Sequence, residues 1–314
     1  MPSNSSKSAV FLGWDVGGTK CSAVVGTEAG VVLRTLSWPS RVARGPEAMR
    51  GDFLDKLPEL RNEFGDFEAL GVSIGGPLDT NRGIIYSPPN LPGWEGIPLR
   101  DHLEKETGLP VHVEHDAIAC LLAELFWGAA QNCRHVIYLT AGTGCGAGIL
   151  IDGKPLRGPS GQTPEVGHIR IAENGPVCFG KAGSIESYSS GTGISLLAPF
   201  LFPHRFREPV PARELVRLSE EGDEQAREIL RVSAEKTGRG CALLGDLFSP
   251  EVILIGSLAR YLPEWWLEVV CESFRQEVLP ANGKNTRILP AGLGDRLQEL
   301  SSLAPAIYVG HRLS

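Results

Sequence analysis

The chain lacks any run of about 18 apolar residues, any long run of Lys and Arg, and any Cys-x-x-Cys pair. The first absence removes a candidate membrane-spanning helix. The second removes a surface for non-specific binding to DNA or RNA, and the formal charge of −7 points the same way. The third leaves zinc clusters and disulfide frameworks without support, because the 7 cysteines are odd in number and widely spaced. They read instead as small buried apolar residues. The polar start, MPSNSSKS, has no apolar core of a signal peptide. A cytoplasmic protein with neither a membrane nor a nucleic-acid partner is expected.

What is present is material for a large core: 314 residues, 42% of them hydrophobic. That length suggests two lobes of roughly 100 to 200 residues. The 38 glycines exceed the usual share of about 7% and cluster in short turns between apolar runs, as in loops that approach a ligand closely. Apolar segments at 9–14 and 21–25 flank an acidic glycine turn, and a third strand is expected at 31–36. A helix over 46–64, a buried strand at 69–74, a helix over 97–107, a strand at 110–114 and a helix over 117–130 follow. Strands at 136–140 and 146–151 around a second glycine turn echo the first, so two similarly built lobes are expected. Helix and strand alternate over 211–260, and a terminal helix over 301–309 should pack back on the first lobe. The smaller lobe is drawn at 8–116 plus 299–314 and the larger at 117–298.

Three turns carry candidate chemistry. In Asp15-Val-Gly-Gly-Thr-Lys20 the paired Gly17 and Gly18 let backbone N–H groups face an anion, with Thr19 and Lys20 beside them and Asp15 able to hold hydrated Mg²⁺. The spacing is not that of a Walker loop, and an ordinary type I′ hairpin turn is the structural alternative. Thr140-Ala-Gly-Thr-Gly144 offers hydroxyls and amides from Thr140, Gly142, Thr143 and Gly144 for phosphate oxygens. The turn at Gly256 follows an apolar strand and could accept a nucleoside. Asp116, where a strand gives way to a helix, is the candidate general base, with a helix N-cap as its structural alternative.

These segments, with Ser73-Ile-Gly-Gly-Pro77, Ser87-Pro-Pro-Asn-Leu-Pro-Gly-Trp94, Glu114-His-Asp-Ala117, Glu165-Val-Gly-His168 and Ile185-Glu186, resemble the ROK family of sugar kinases and repressors over nearly the whole chain. The resemblance implies an α/β, two-lobed actin-like ATPase (ribonuclease H-like) fold with an interlobe active-site cleft. It implies ATP and Mg²⁺ on the glycine turns, and a sugar held by Gly76, Asn90, His115, Asp116, Glu165, His168 and Glu186, with Asp116 as base. Carboxylates and an amide fix the orientation of hydroxyls that both donate and accept. Glucose is the first substrate implied, ahead of N-acetylmannosamine, N-acetylglucosamine, fructose and allose, and a homodimer is left open.

Three departures stand out. The family's zinc cysteines fall, aligned on Gly180 and Gly183, at Val177, Phe179 and Ser184, so no structural zinc is expected and His168 should be held by hydrogen bonds. His115 replaces the asparagine common beside the catalytic Asp and is expected to change which hydroxyl pattern is recognised. Gly256 stands where two or three glycines are usual. A Ser/His/Asp hydrolase built on Ser160, His168 and Asp116 lacks a nucleophile elbow. A repressor would carry a helix-turn-helix ahead of residue 15, where none is expected. A sugar-binding protein that has lost kinase activity is the nearer rival.

Overall fold

The computed structural model describes residues 9–88 and 90–313, and the chain divides into two compact units. The first runs to Gln131 and includes Arg157–Thr163 and the chain from Asp295. The second comprises Asn132–Leu156 and Pro164–Gly294.

In the first unit a five-stranded sheet is ordered Val32–Pro39, Lys20–Thr27, Val10–Val16, Leu70–Ile74, Val111–His115. The first three strands run antiparallel as a meander, and the last two join in parallel. Of the parallel strands, Leu70–Ile74 is buried along its whole length, as a strand covered on both faces is, while Val111–His115 brings His112, Glu114 and His115 into the sheet. One face packs Trp14, Phe53, Leu60 and Leu103 into a core. Against the sheet also lie the helices Asp116–Trp127 and Leu297–Leu313, which pack on each other. The terminal helix comes so near that a Cβ on Gly13 would sit 2.6 Å from the Ser302 carbonyl carbon, and one on Gly71 would sit 2.5 Å from Ala306 N. Gly13 and Gly71 are partners in register, so two absent side chains make one groove for the helix.

The second unit repeats the plan, with strands ordered Lys154–Pro155, Ala147–Ile151, Val136–Leu139, Val252–Ile255, Arg287–Pro290. Again a meander is followed by two parallel strands. The 25-residue helix Glu224–Phe248, capped by Asp223 through the N–H groups of Gln225 and Ala226, packs on Glu264–Glu277. Its apolar face joins Ile137, Ile149, Ile194, Trp266 and Phe274 in a separate core.

The expected strands and the repeated strand–turn–strand units are present, with three differences. The helix expected over 46–64 is two helices, Gly45–Leu54 and Leu57–Phe64, because Pro58 has no N–H to continue the first and suits the opening turn of the second. The helix expected from 97 starts at Leu99, since Ile97–Pro98 pairs with Ile84–Ile85. The division drawn at 116/117 and 298/299 also shifts: the helix Asp116–Trp127, the segment Arg157–Thr163 and the start of the terminal helix all pack in the first unit. Among the described residues no helix is long and apolar enough to cross a membrane.

Candidate active site

In the first unit Asp15 sits near the end of its strand, paired with Ser22 on one side and Ser73 on the other. The Asp15–Lys20 turn closes through a hydrogen bond from Gly17 N to Lys20 O at 3.2 Å. No residue from 16 to 20 has positive φ, so the turn is not the type I′ hairpin held open above. Its glycines serve close approach instead: a Cβ on Gly18 would lie 2.9 Å from the Asn90 carbonyl oxygen. Buried Ser40 pins the turn from beneath, its Oγ donating to Gly17 O at 2.5 Å and its N–H to Thr19 O at 3.0 Å. Thr19 and Lys20 are exposed at the tip.

The Asp15 carboxylate accepts from Gln298 Nε2 at 3.1 Å, delivered by the terminal helix. Burial pushes its pKa up to about 6; the Gln298 bond opposes the shift, the nearby Asp116 charge adds to it, and Lys20 opposes it. Asp15 and Asp116 are therefore electrostatic neighbours.

Asp116 opens the helix Asp116–Trp127, and its side chain is 52% exposed. The residue that caps this helix is His115, whose Nδ1 accepts from Ala117 N at 3.2 Å and lies 3.1 Å from Asp116 Oδ1. The His115 ring packs on Gly76, where a Cβ would fall 2.7 Å from His115 Cδ2. Asn90 is exposed. The capping role held open for Asp116 thus belongs to its neighbour, and the Asp116 carboxyl faces water. Asp15, Gly18, Lys20, Asn90, Gly76, His115 and Asp116 all belong to this unit.

In the second unit the turn at 140–146 is closed by Thr140, whose Oγ1 accepts from Gly146 N at 2.6 Å, and by Gly142 N donating to Gly144 O at 3.1 Å. Gly142, Thr143 and Gly144 are exposed. Cys145, buried beneath them, is where the unit's candidate residues meet. Its N–H donates to Glu186 Oε2 at 2.9 Å, and a Cβ on Gly167 would overlap its carbonyl oxygen. Burial, with Glu186 nearby, raises the Cys145 thiol to about 12, so it is an inert apolar group. Glu165 and His168 are exposed on either side of the single 3₁₀ turn Val166–His168, which Gly167 lets rest on Cys145. Gly256 is buried against the 140–146 turn, its N–H donating to Leu139 O at 2.8 Å.

His168 corrects one expectation. Its carbonyl accepts from Lys181 Nζ at 2.8 Å, but its ring makes no hydrogen bond among the described residues. The zinc implied by resemblance does not fit the residues present. Val177 and Phe179, on the hairpin Val177–Cys178/Lys181–Ala182, are 60% and 73% exposed. Ser184 is buried and bonded to Ser187 Oγ at 2.9 Å. Gln298, Ser40 and Cys145 were not singled out as site residues by sequence. Their partners lie far along the chain or are backbone atoms, so no local motif marks them.

The sequence profile of the ROK family matches residues 11–298. The chain belongs to the ROK family. It is 32% identical to a glucokinase of Thermotoga maritima over 260 residues, covering 78% of this chain and 81% of that protein. It is 31% identical to a xylose repressor of Caldicellulosiruptor bescii over 76% of this chain and 62% of the repressor. Among solved structures, a ROK hexokinase from Thermus thermophilus superposes with TM-score 0.84 at 33% identity, over 97% of this chain and 100% of that one. A ROK glucokinase from Streptomyces griseus in complex with glucose and AMPPNP superposes with TM-score 0.75 at 30% identity, over 95% of this chain and 99% of that one. The fold is thus that of the ROK sugar kinases, the two-lobed actin-like ATPase fold.

Proposed function

We propose that this ROK protein is a cytoplasmic sugar kinase that transfers the γ-phosphoryl group of ATP to a hexose hydroxyl, with glucose the first candidate. The observation that carries the reading is Asp116. A half-exposed carboxylate at a helix N-terminus sits in electrostatic contact with the Asp15–Lys20 phosphate turn of its own unit. Sugar kinases among the relatives, and the complex of the Streptomyces griseus glucokinase with glucose and AMPPNP, support the substrate pair.

In this reading Asp116 takes the hydroxyl proton as the sugar oxygen bonds to the γ-phosphorus and the bond to the ADP oxygen breaks. The exposed residues Thr19, Thr143 and Gly144 offer hydroxyls and backbone N–H groups to phosphate oxygens, Gly142 N–H closes the second turn through Gly144 O, and Lys20 adds a positive charge. Magnesium fits Asp15, a carboxylate with one oxygen on Gln298, and when bound it would neutralise phosphate charge. Asn90, Glu165, His168 and Glu186 bind sugar hydroxyls, Glu186 with its position fixed by Cys145 N.

A coupled ADP-release assay over a panel of hexoses and N-acetylhexosamines tests the reading, with Asp116→Ala alongside. Turnover should fall by about 10² or more while sugar binding persists. Stoichiometric sugar binding without phosphoryl transfer in the unaltered protein would instead favour the sensor role that the repressor relative represents.

A further inference from the structure

Glu114, directly ahead of His115 and Asp116, has no exposed side-chain surface. Its Oε1 accepts from Arg157 Nη1 at 2.9 Å and from the backbone N–H of His115 at 2.8 Å. Its Oε2 is bonded to Arg157 Nη2 and lies 3.1 Å from His112 Nε2. Arg157 does not come from the neighbouring sequence. It begins Arg157–Thr163, a stretch that packs in the first unit although the chain on either side of it belongs to the second. The stretch is tied down again where Thr80 Oγ1 donates to Gly161 O at 3.0 Å.

A buried ion pair is a poor stabiliser, since desolvating two charges offsets most of their attraction and an apolar pair of similar volume often serves as well. What a guanidinium fork on a carboxylate does supply is fixed geometry, because two parallel bonds set both the position and the plane of the acceptor. Here that plane directs one oxygen at the amide of His115. His115 in turn caps the helix through Ala117 N and stands 3.1 Å from the Asp116 carboxyl.

We infer that Arg157 is a positioning residue for Asp116: by clamping Glu114 it fixes the backbone of His115, and with it the turn that presents the base. The inference rests on the kinase reading above, in which Asp116 is the base. Misplacing a reacting group by about 1 Å can cost on the order of 10²-fold in rate, so a slack clamp should appear in turnover before it appears in binding.

Two variants of the full chain test this. Arg157→Lys keeps the charge beside Glu114 but loses the fork. Glu114→Met with Arg157→Met removes both charges together, so neither is left buried alone. For each we would measure kcat per sugar-binding site, KM for ATP, sugar affinity and Tm, with Asp116→Ala in parallel. The expected result is a fall in kcat of about tenfold or more in both variants, with KM for ATP and sugar affinity within about twofold of the unaltered protein and Tm largely kept. A purely structural pair would lower Tm or the fraction of binding sites and leave kcat per site intact. A normal kcat per site in either folded variant overturns the inference while Asp116→Ala remains impaired. Near-normal turnover in Asp116→Ala overturns the kinase reading and the inference with it.

Discussion

At His115 the ring has two jobs to divide between two nitrogens. Nδ1 is committed to Ala117 N, which leaves Nε2, on the edge of the ring near Gly76, as the atom that could meet a ligand. Removing a helix cap costs about 0.5 to 2 kcal/mol, and asparagine is as good a cap as any side chain. His115→Ala should therefore lower stability in urea by that amount, and His115→Asn should not. The asparagine variant does lose the Nε2 donor. One hydrogen bond is worth roughly 0.5 to 1.5 kcal/mol, so the kcat/KM ratios among hexoses should move by about 2- to 13-fold toward glucose. Unchanged ratios would leave the cap as the whole role of His115.

The turns behave as elements held from behind by residues distant in sequence. Ser40 ends up beneath the Asp15–Lys20 turn because the strand Val32–Pro39 returns beside Lys20–Thr27 and hands its next residue to Gly17 O and Thr19 O. Ser40→Ala removes the side-chain bond and leaves the carbonyl to find another donor. Stability should drop by about 1 kcal/mol, and KM for ATP should rise more than KM for sugar. Equal changes in both constants would mean that the turn is not a nucleotide element. On the hairpin Val177–Cys178/Lys181–Ala182, two of the three positions that would need thiolates are exposed to solvent, and the third, just beyond it, is a buried serine. Elemental analysis of purified protein should find no stoichiometric zinc, and one zinc per chain resistant to chelation would contradict this.

At the scale of the whole molecule, Glu114 is a carboxylate with no exposed side-chain surface. Complete burial raises its pKa, but the hydrogen bond from His112 and the charge and bonds of Arg157 outweigh burial and hold it at about 2, below the ordinary 4.5. A depressed carboxylate contributes stability above its unfolded value and loses it as pH falls through its folded value. Its share is present above pH 4.5 and disappears between 4.5 and about 2. Thermal melts across that window should fall less steeply for Glu114→Gln than for the unaltered chain, and parallel curves would show that Glu114 titrates normally. Asp15 has the opposite sign: its raised value means the folded state holds the proton more tightly, so its contribution is present below 3.8 and is lost as pH rises through about 6.

Sequence alone determined the longer apolar strands, because such runs have only a few ways to be buried, but not the strands Ile97–Pro98, Lys154–Pro155 and Arg287–Pro290; it marked the glycine turns, because Gly17, Gly18 and Gly142 interrupt those runs with residues that carry no Cβ. The repeated strand–turn–strand plan was legible for the same reason, as was the family, which rests on ordered motifs. Contacts between residues far apart in sequence were not legible. Gln298 reaches Asp15, Ser40 reaches Gly17, and Arg157 reaches Glu114 across 283, 23 and 43 positions respectively. The unit boundary moved for a related reason: the helix Asp116–Trp127 joins the partner its apolar face covers, the terminal helix, and periodicity reveals that a face is apolar without revealing what covers it. The tertiary structure decided which backbone atom each polar side chain would satisfy. A buried polar group takes the partner that packing brings within about 3 Å, and packing is a property of the whole chain.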